Sequence, residues 1–521
     1  RLIRRQRQMC IRDRQGEVYS PALFGEEVLK YKSIGPVKIP EVFIVGNKTS
    51  YSSQWALTSI ISWLTQTDVF YVDIVLGYLL WSIFIPLFLF KLGQFLSRKK
   101  PFPLLLAFLP SIFYPFHFYG SITIPVAFGF LFFLFTFIFW LHFLVKRKLS
   151  TFILALVLTL FIYLNYLLYF ILLLEIGIII FVLFRLIPKE RFKFKNIIEF
   201  LGIKAKPPKH KWKVLLILII IAFIFLMPIL DLISGLSFVK EGVGFKMVAT
   251  SLGLFVSKLF GFVAAEPYSI PIKQGNFIYM QTERVLSAGT LFSLFFWPAM
   301  ISIIIWLFIV YGLKQAKKSL NHIVAYLFGI FLVILLCNHF IAWYLMDGVR
   351  LFNKRLDLII AFVMLVIFGW GIFSFIKKPT KSINQQAKIC GVSIFLAIAC
   401  LSAYVSGPEM QVVTKNELQA AKYVWQEIQK KPAKENYCVL ANTWPLLALE
   451  TESARKIIAG GFPVYKECAQ PERVLLFNKM SDNPSLRYIK EAMVITQSND
   501  CYFMTEKRWW TENKERQILS Q

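Results

Sequence analysis

Runs of apolar residues about as long as a bilayer is thick recur along this chain, and that recurrence restricts its fold more than any other feature. A helix needs about 20 apolar residues to cross ~30 Å of hydrocarbon at ~1.5 Å per residue. Blocks of this kind lie at about 69–92, 121–145, 213–231, 289–312, 320–343, 356–376 and 386–406. A shorter one, 101–117, is a candidate re-entrant segment. Residues 151–187 would extend ~55 Å as one helix, too long for a single crossing. They are therefore split near Asn165-Tyr166. The expected fold is an α-helical polytopic membrane protein of about ten spans.

The chain is 57% hydrophobic with a net charge of +28. Such a charge could serve nucleic acid, but the basic residues are not gathered on one solvated domain. They sit beside the hydrophobic blocks, as topology signals do, so nucleic acid is excluded as a partner. Arg98-Lys-Lys100, Lys146-Arg-Lys148, the ten Lys or Arg from Arg185 to Lys213, Lys314/Lys317/Lys318 and Lys377/Lys378/Lys381 all fall on one side of an alternating topology. The positive-inside rule puts that side in the cytoplasm. The loop 15–66, the loop 232–288, the turn 345–355 and everything after 407 then lie outside. The expected location is the cytoplasmic (inner) membrane, multi-pass, with 67–406 as the transmembrane domain.

Residues 1–14 differ in character from the rest of the chain. The run RRQRQMCIRDR looks like translated sequencing-adapter sequence and is set aside from fold reasoning. The remaining chain starts outside, so a preceding membrane helix is expected upstream.

The region 407–521 reads as a small extracytoplasmic α/β domain. Thr414-Lys-Asn-Glu417 is a capping-box pattern that opens a helix over about 415–430. Strands are expected at 437–441, 456–459 and 501–504, with helices over 445–455, 470–480 and 484–496. Gly460-Gly461 stops the second strand, and the domain has no phosphate-binding glycine fingerprint. Cys438, Cys468 and Cys501 allow one disulfide and one leftover thiol, with the pair left open. Cys337, Cys390 and Cys400 lie in apolar spans and read as small hydrophobes.

Four groups of residues could carry chemistry. The outer turn from Met346 to Asp357 breaks the positive-inside rule with Arg350, Lys354 and Arg355. A guanidinium fork and a point charge at headgroup level suit a donor phosphate; the competing reading pairs them with Asp347 and Asp357. The loop 232–288 holds an apolar stretch, Leu252 to Val263, too short to span, then Glu266 and Arg284 as candidates for a substrate groove. The first loop supplies Glu26 and Glu27 as candidate catalytic carboxylates, with Tyr51 and Trp55 just ahead of the first span. Glu175 lies within a span and is expected to face the bundle or sit near its edge, while His117 and His339 lie near outer ends. No metal-protease, paired-cysteine or nucleotide motif is present.

Taken together, the Tyr51/Trp55 helix behind an external loop, the paired short spans around Asn165, the long later external loop, the basic turn Arg350–Arg355 and the α/β tail resemble the GT-C superfamily of membrane glycosyltransferases. The resemblance is one of architecture over most of the chain. It implies a polyprenyl-phosphate-linked sugar donor, an acceptor hydroxyl outside the cytoplasm, and a role in the bacterial cell envelope. It implies a catalytic acid in the first external loop, for which Glu26 and Glu27 are the nearest counterparts, and an Arg near the donor phosphate, for which Arg350 is. A divalent metal serves some members and not others, and no ligand cluster here decides between them. An O-antigen-ligase or polymerase-like enzyme is the nearest alternative. A lipid or solute transporter or flippase is a second, which would predict internal repeats and mid-membrane helix breaks.

Overall fold

A computed structural model describes the chain between residues 52 and 505, outside 68, 98–100, 122–124, 147, 164–165, 187–208, 236, 241–242, 260–290, 317–321, 349–351, 378–384, 406–414, 432–435, 454–455, 458 and 463–470. Almost all of the described chain is helical. Among the described residues five helices are long and apolar enough to cross a membrane: Val75–Leu96, Val126–Phe143, Val214–Ile233, Leu327–Leu345 and Asp357–Lys377. Their exposed faces are apolar too. Ile217, Leu218, Val75 and Ile83 are all more than half exposed. A water-soluble surface rarely carries such a patch, whereas lipid favours it. The chain is a helical membrane protein.

Two compact units divide it, and the larger comprises Leu80–Gly120 with Val126–Pro408. The first described helices are α1 (Ser52–Thr65) and α2 (Val69–Leu96). The expected span at 101–117 is broken into α3 (Pro101–Phe108), a 3-10 turn (Leu109–Ile112) and α4 (Tyr114–Ser121). Next comes α5 (Pro125–Lys146). The long apolar block divides as the sequence predicts, into α6 (Leu149–Tyr163) and α7 (Leu167–Leu186), which pack on each other. A buried hydrogen bond from Trp140 Nε1 to Thr159 Oγ1 (3.0 Å) ties α5 to α6.

Helix α8 (Lys209–Ile233) leads through β1 (Ser237–Val239) to the amphipathic α9 (Phe245–Leu259). Then come α10 (Leu291–Ala316), α11 (His322–Phe340), a π turn (Ile341–Leu345), β2 (Met346–Gly348), a second 3-10 turn (Asn353–Arg355), α12 (Asp357–Lys377) and α13 (Gln385–Val405).

Helix α12 is the axis of this unit. Every side chain from Asp357 to Phe368 is buried. A helix apolar all round has to be enclosed on all sides, by protein or lipid. It packs closely on α10: a Cβ added at Gly371 of α12 would come within 2.1 Å of Phe308 O of α10. Small residues bring membrane helices together in this way, replacing hydrophobic drive with van der Waals contact. Phe130, Phe133, Phe137 and Phe328 pack edge-on or tilted around Phe362 at 5.7–6.4 Å between centroids.

The C-terminal part of the other unit is a small α/β layer. Helix α14 (Lys415–Gln429) precedes β3 (Cys438–Ala441) and α15 (Thr443–Glu452); α16 (Pro471–Asp482) and α17 (Leu486–Thr496) precede β4 (Cys501–Met504). The strands pair in parallel, Cys438 opposite Cys501 and Ala441 opposite Met504. Alternation along β3 sends Val439 and Ala441 into a core with α14 and α15, and Cys438 and Leu440 into a core with α16 and α17. Both faces are covered, as parallel pairing requires.

The predicted strand at 456–459 is not one. Lys456 and Ile457 lie in a bend, and Ala459–Gly461 form a 3-10 turn. Gly460 and Gly461 have φ of 70° and 88°, and a Cβ on either would fall within 2.0 Å of a carbonyl oxygen of Val439 or Tyr437. The pair lets the chain turn against the backbone of β3, which is why it is glycine. Cys438 and Cys501 are joined in a disulfide across the two strands, fixing the pair the sequence left open.

Candidate functional site at the end of the helical bundle

A cluster of buried polar residues in the larger unit lies where α8 and α11 end and α12 begins. Asp231 is the only acid in α8 and is fully buried. Its carboxylate accepts from Phe352 N (2.7 Å), Asn353 N (3.3 Å) and Asn353 Nδ2 (2.6 Å). A buried carboxylate is tolerable when donors converge on it, and here all three come from the turn that carries the basic residues. Asp231 thereby pins the 3-10 turn Asn353–Arg355 to α8.

One residue beyond that turn's C-cap, Asp357 opens α12. His339, in the last turn of α11, faces it with Nδ1 3.6 Å from Asp357 Oδ1, and both side chains are buried. An acid at a helix start and a histidine at a helix end each suit the dipole they meet. The ring of His339 lies between Trp343, 5.8 Å away, and Phe255 of α9, 6.1 Å away. Trp306 Nε1 holds the far end of α9 through Leu259 O (3.0 Å). The amphipathic helix thus packs Phe255 against His339.

The neighbouring wall is a two-stranded ribbon. Antiparallel pairing sets Phe238 opposite Asp347. Lys240 Nζ donates to Tyr344 O (3.2 Å) and lies 3.9 Å from Asp347 Oδ1. Between α11 and β2 sits the π turn, a rare element that recurs at functional sites.

On the other flank, the Arg355 guanidinium donates to the Tyr166 hydroxyl and lies 5.6 Å from that ring's centroid. Tyr166 packs tilted against Tyr169, 4.8 Å between centroids, and the Tyr169 hydroxyl donates to Val126 O (3.0 Å). Arg355 is therefore held by the break between α6 and α7. A guanidinium carries five donors in a rigid fork, so it can serve more than one acceptor at once.

The sequence candidates are distributed unevenly. Arg355 and His339 come to this one end of the bundle. Lys354 lies in the same turn, its side chain outside the described residues, as is all of Arg350. Asp357 and Asp347, read as partners for the basic turn, lie beside His339 and Lys240 respectively. His117 Nε2–H donates to Ser111 O (2.7 Å), bracing the break between α3 and α4. Glu26, Glu27, Tyr51, Glu266 and Arg284 lie outside the described residues; Trp55 lies on α1, its side chain likewise outside them.

Glu175 faces the bundle, as its place within a span predicts, and neither of its oxygens has a hydrogen-bond partner among the described residues. Among those residues no group of three His, Cys, Asp or Glu could hold a metal ion. Sequence reasoning missed Asp231, Asn353, Lys240 and the role of Tyr166. The one available signal was Asp231, a lone acid closing a run of apolar residues.

No family model matches the chain, and no curated protein matches it.

Proposed function

We propose that this chain is a ten-span glycosyltransferase of the cytoplasmic membrane that moves a sugar from a polyprenyl-phosphate-linked donor to an acceptor hydroxyl outside the cytoplasm. The observation that carries the reading is the basic turn at the bundle end, pinned by Asp231 and flanked by the Arg355–Tyr166 contact. Its orientation rests on the basic loops, which put this end of the bundle and the α/β domain on the outer side. The Cys438–Cys501 disulfide supports that side, because disulfides persist in oxidising compartments.

In this reading Arg355, with Arg350 and Lys354 of the same segment, holds the donor phosphate. The bond between the anomeric carbon and the phosphate oxygen breaks, and the polyprenyl phosphate leaves with the electron pair. Fixed cations lower the barrier by meeting that developing charge in a site shielded from water. The acceptor oxygen attacks the opposite face and gives its proton to a carboxylate of the first loop, for which Glu26 and Glu27 are the candidates. Inversion at the anomeric carbon results from that geometry.

The test uses the purified chain in liposomes with a polyprenyl-phosphate sugar and a hydroxylated acceptor. Arg350→Ala and Arg355→Gln should each lower transfer by about tenfold or more, the scale of losing one charge-assisted contact to phosphate. Tyr166→Phe, which removes only a hydroxyl, controls for the fold around Arg355. Unchanged transfer in both Arg variants would remove the turn from the site. Movement of the intact lipid-linked sugar across the bilayer without transfer would favour a flippase.

A further inference from the structure

The α/β domain carries a cleft of about 330 Å³ beside the first residues of its two strands. That volume sits at the small end of the ligand-pocket range, about 300–1,000 Å³, and suits one or two sugar rings. Three half-buried aromatic rings line it: Trp425 of α14, Tyr437 ahead of β3 and Tyr502 of β4. Each is fixed. The Tyr437 hydroxyl donates to Lys456 O, Lys431 lies 5.2 Å over the Tyr502 ring, and Lys456 lies 5.8 Å over the Trp425 ring. Asn436 Nδ2 donates to Gln497 O (3.4 Å), so its amide oxygen is left to accept.

The charges in the cleft are unequal. Asp500 pairs with Lys431. Among the described residues no carboxylate pairs with Lys456, whose exposed ammonium stands at the rim. The cleft therefore offers flat aromatic faces, an amide and, in Lys456, a positive charge with no carboxylate partner among the described residues, on a framework that a disulfide at Cys438 ties together. Flat faces fit the C–H faces of a pyranose, amides fit its hydroxyls, and the Lys456 ammonium fits a single carboxylate.

We propose that this cleft is a binding site for an acidic saccharide, a hexuronate ring with its carboxylate on Lys456 and its apolar face on Trp425. Nothing in this inference needs the transferase reading, because binding is measured with no donor and no turnover.

The experiment is saturation-transfer NMR on the full chain in detergent, with tetragalacturonate as probe and affinities from competition. Protein saturation should reach the sugar ring protons. Lys456→Gln should weaken binding by about tenfold, and affinity should fall as salt rises. Cellotetraose, which has the ring faces without the charge, should bind about tenfold more weakly. Trp425→Phe should keep most of the affinity and Trp425→Ala should lose it, with melting of the Lys456→Gln variant unchanged as the folding control. Tetraglutamate bound as tightly as tetragalacturonate would overturn a saccharide site. So would wild-type protein that transfers no saturation, or a Lys456→Gln variant of undiminished affinity.

Discussion

Pro228 has no N–H for the carbonyl of Ile224, and its ring crowds that carbonyl, so α8 is weakest in the turn before it. Asn338 of α11 reinforces that turn. Its Oδ1 accepts from Met227 N (3.1 Å) and its Nδ2 donates to Phe223 O (2.8 Å), the two ends of one rung of the α8 ladder. Nδ2 also donates to Ile334 O (2.8 Å), so the amide is braced from its own helix. Away from water such backbone groups have few other partners. Asn338→Leu should destabilise the bundle by about 1–3 kcal/mol, read as a lower melting temperature in detergent. Asp231 is more exacting, because its loss frees three donors. Asp231→Ala should lower the melting temperature more than Asp231→Asn, which keeps one acceptor oxygen. Equal losses would mean that the carboxylate, rather than the hydrogen-bond pattern, secures the turn.

Whole elements were legible to the extent that their signal was local. The run 151–187 had to break because of its length, and it breaks between Tyr163 and Tyr166. The basic turn was legible as a candidate phosphate site because its charges are neighbours in sequence. What holds it was not, because Asp231 lies 121 residues before Phe352 and looks from sequence like any acid at a span end. The predicted strand at 456–459 failed for a related reason. Apolar residues before a glycine pair read as a strand, but those glycines serve an approach to β3, a contact no local pattern encodes. Gly460→Ala tests this at the scale of the turn. Its Cβ would meet Val439 O at 2.0 Å with φ at 70°, so the α/β domain should lose at least about 2 kcal/mol, measured by chemical denaturation with a strand-specific probe.

At the scale of the molecule, orientation is the statement from which most others hang. The proposed topology puts the α/β domain outside, so protease added to intact spheroplasts should remove it and leave the bundle. A protected domain would reverse the orientation and take the outer-site reading with it. The same compartment decides the disulfide. Cys438 and Cys501 are 63 residues apart, and closing such a loop stabilises by about 4 kcal/mol in the chain-entropy account. Cys501→Ser should lower the melting temperature of the α/β domain while sparing the bundle.

The parallel pairing of β3 with β4 has a consequence for how the protein is made. Three helices, α15, α16 and α17, stand between the strands in the sequence, and β4 is the last of these elements to leave the ribosome. The helices of the bundle can enter the bilayer one after another as they emerge. The α/β domain cannot assemble piecemeal, because β3 has no neighbour strand until Cys501–Met504 has been delivered. For that interval a strand apolar on both faces waits with its thiol unpaired, exposed to whatever oxidant or chaperone patrols that side of the membrane. A ribosome that stops before residue 501 would therefore release a bundle bearing a sticky, incomplete tail, and the cell's quality control would meet this protein at its C-terminal end first.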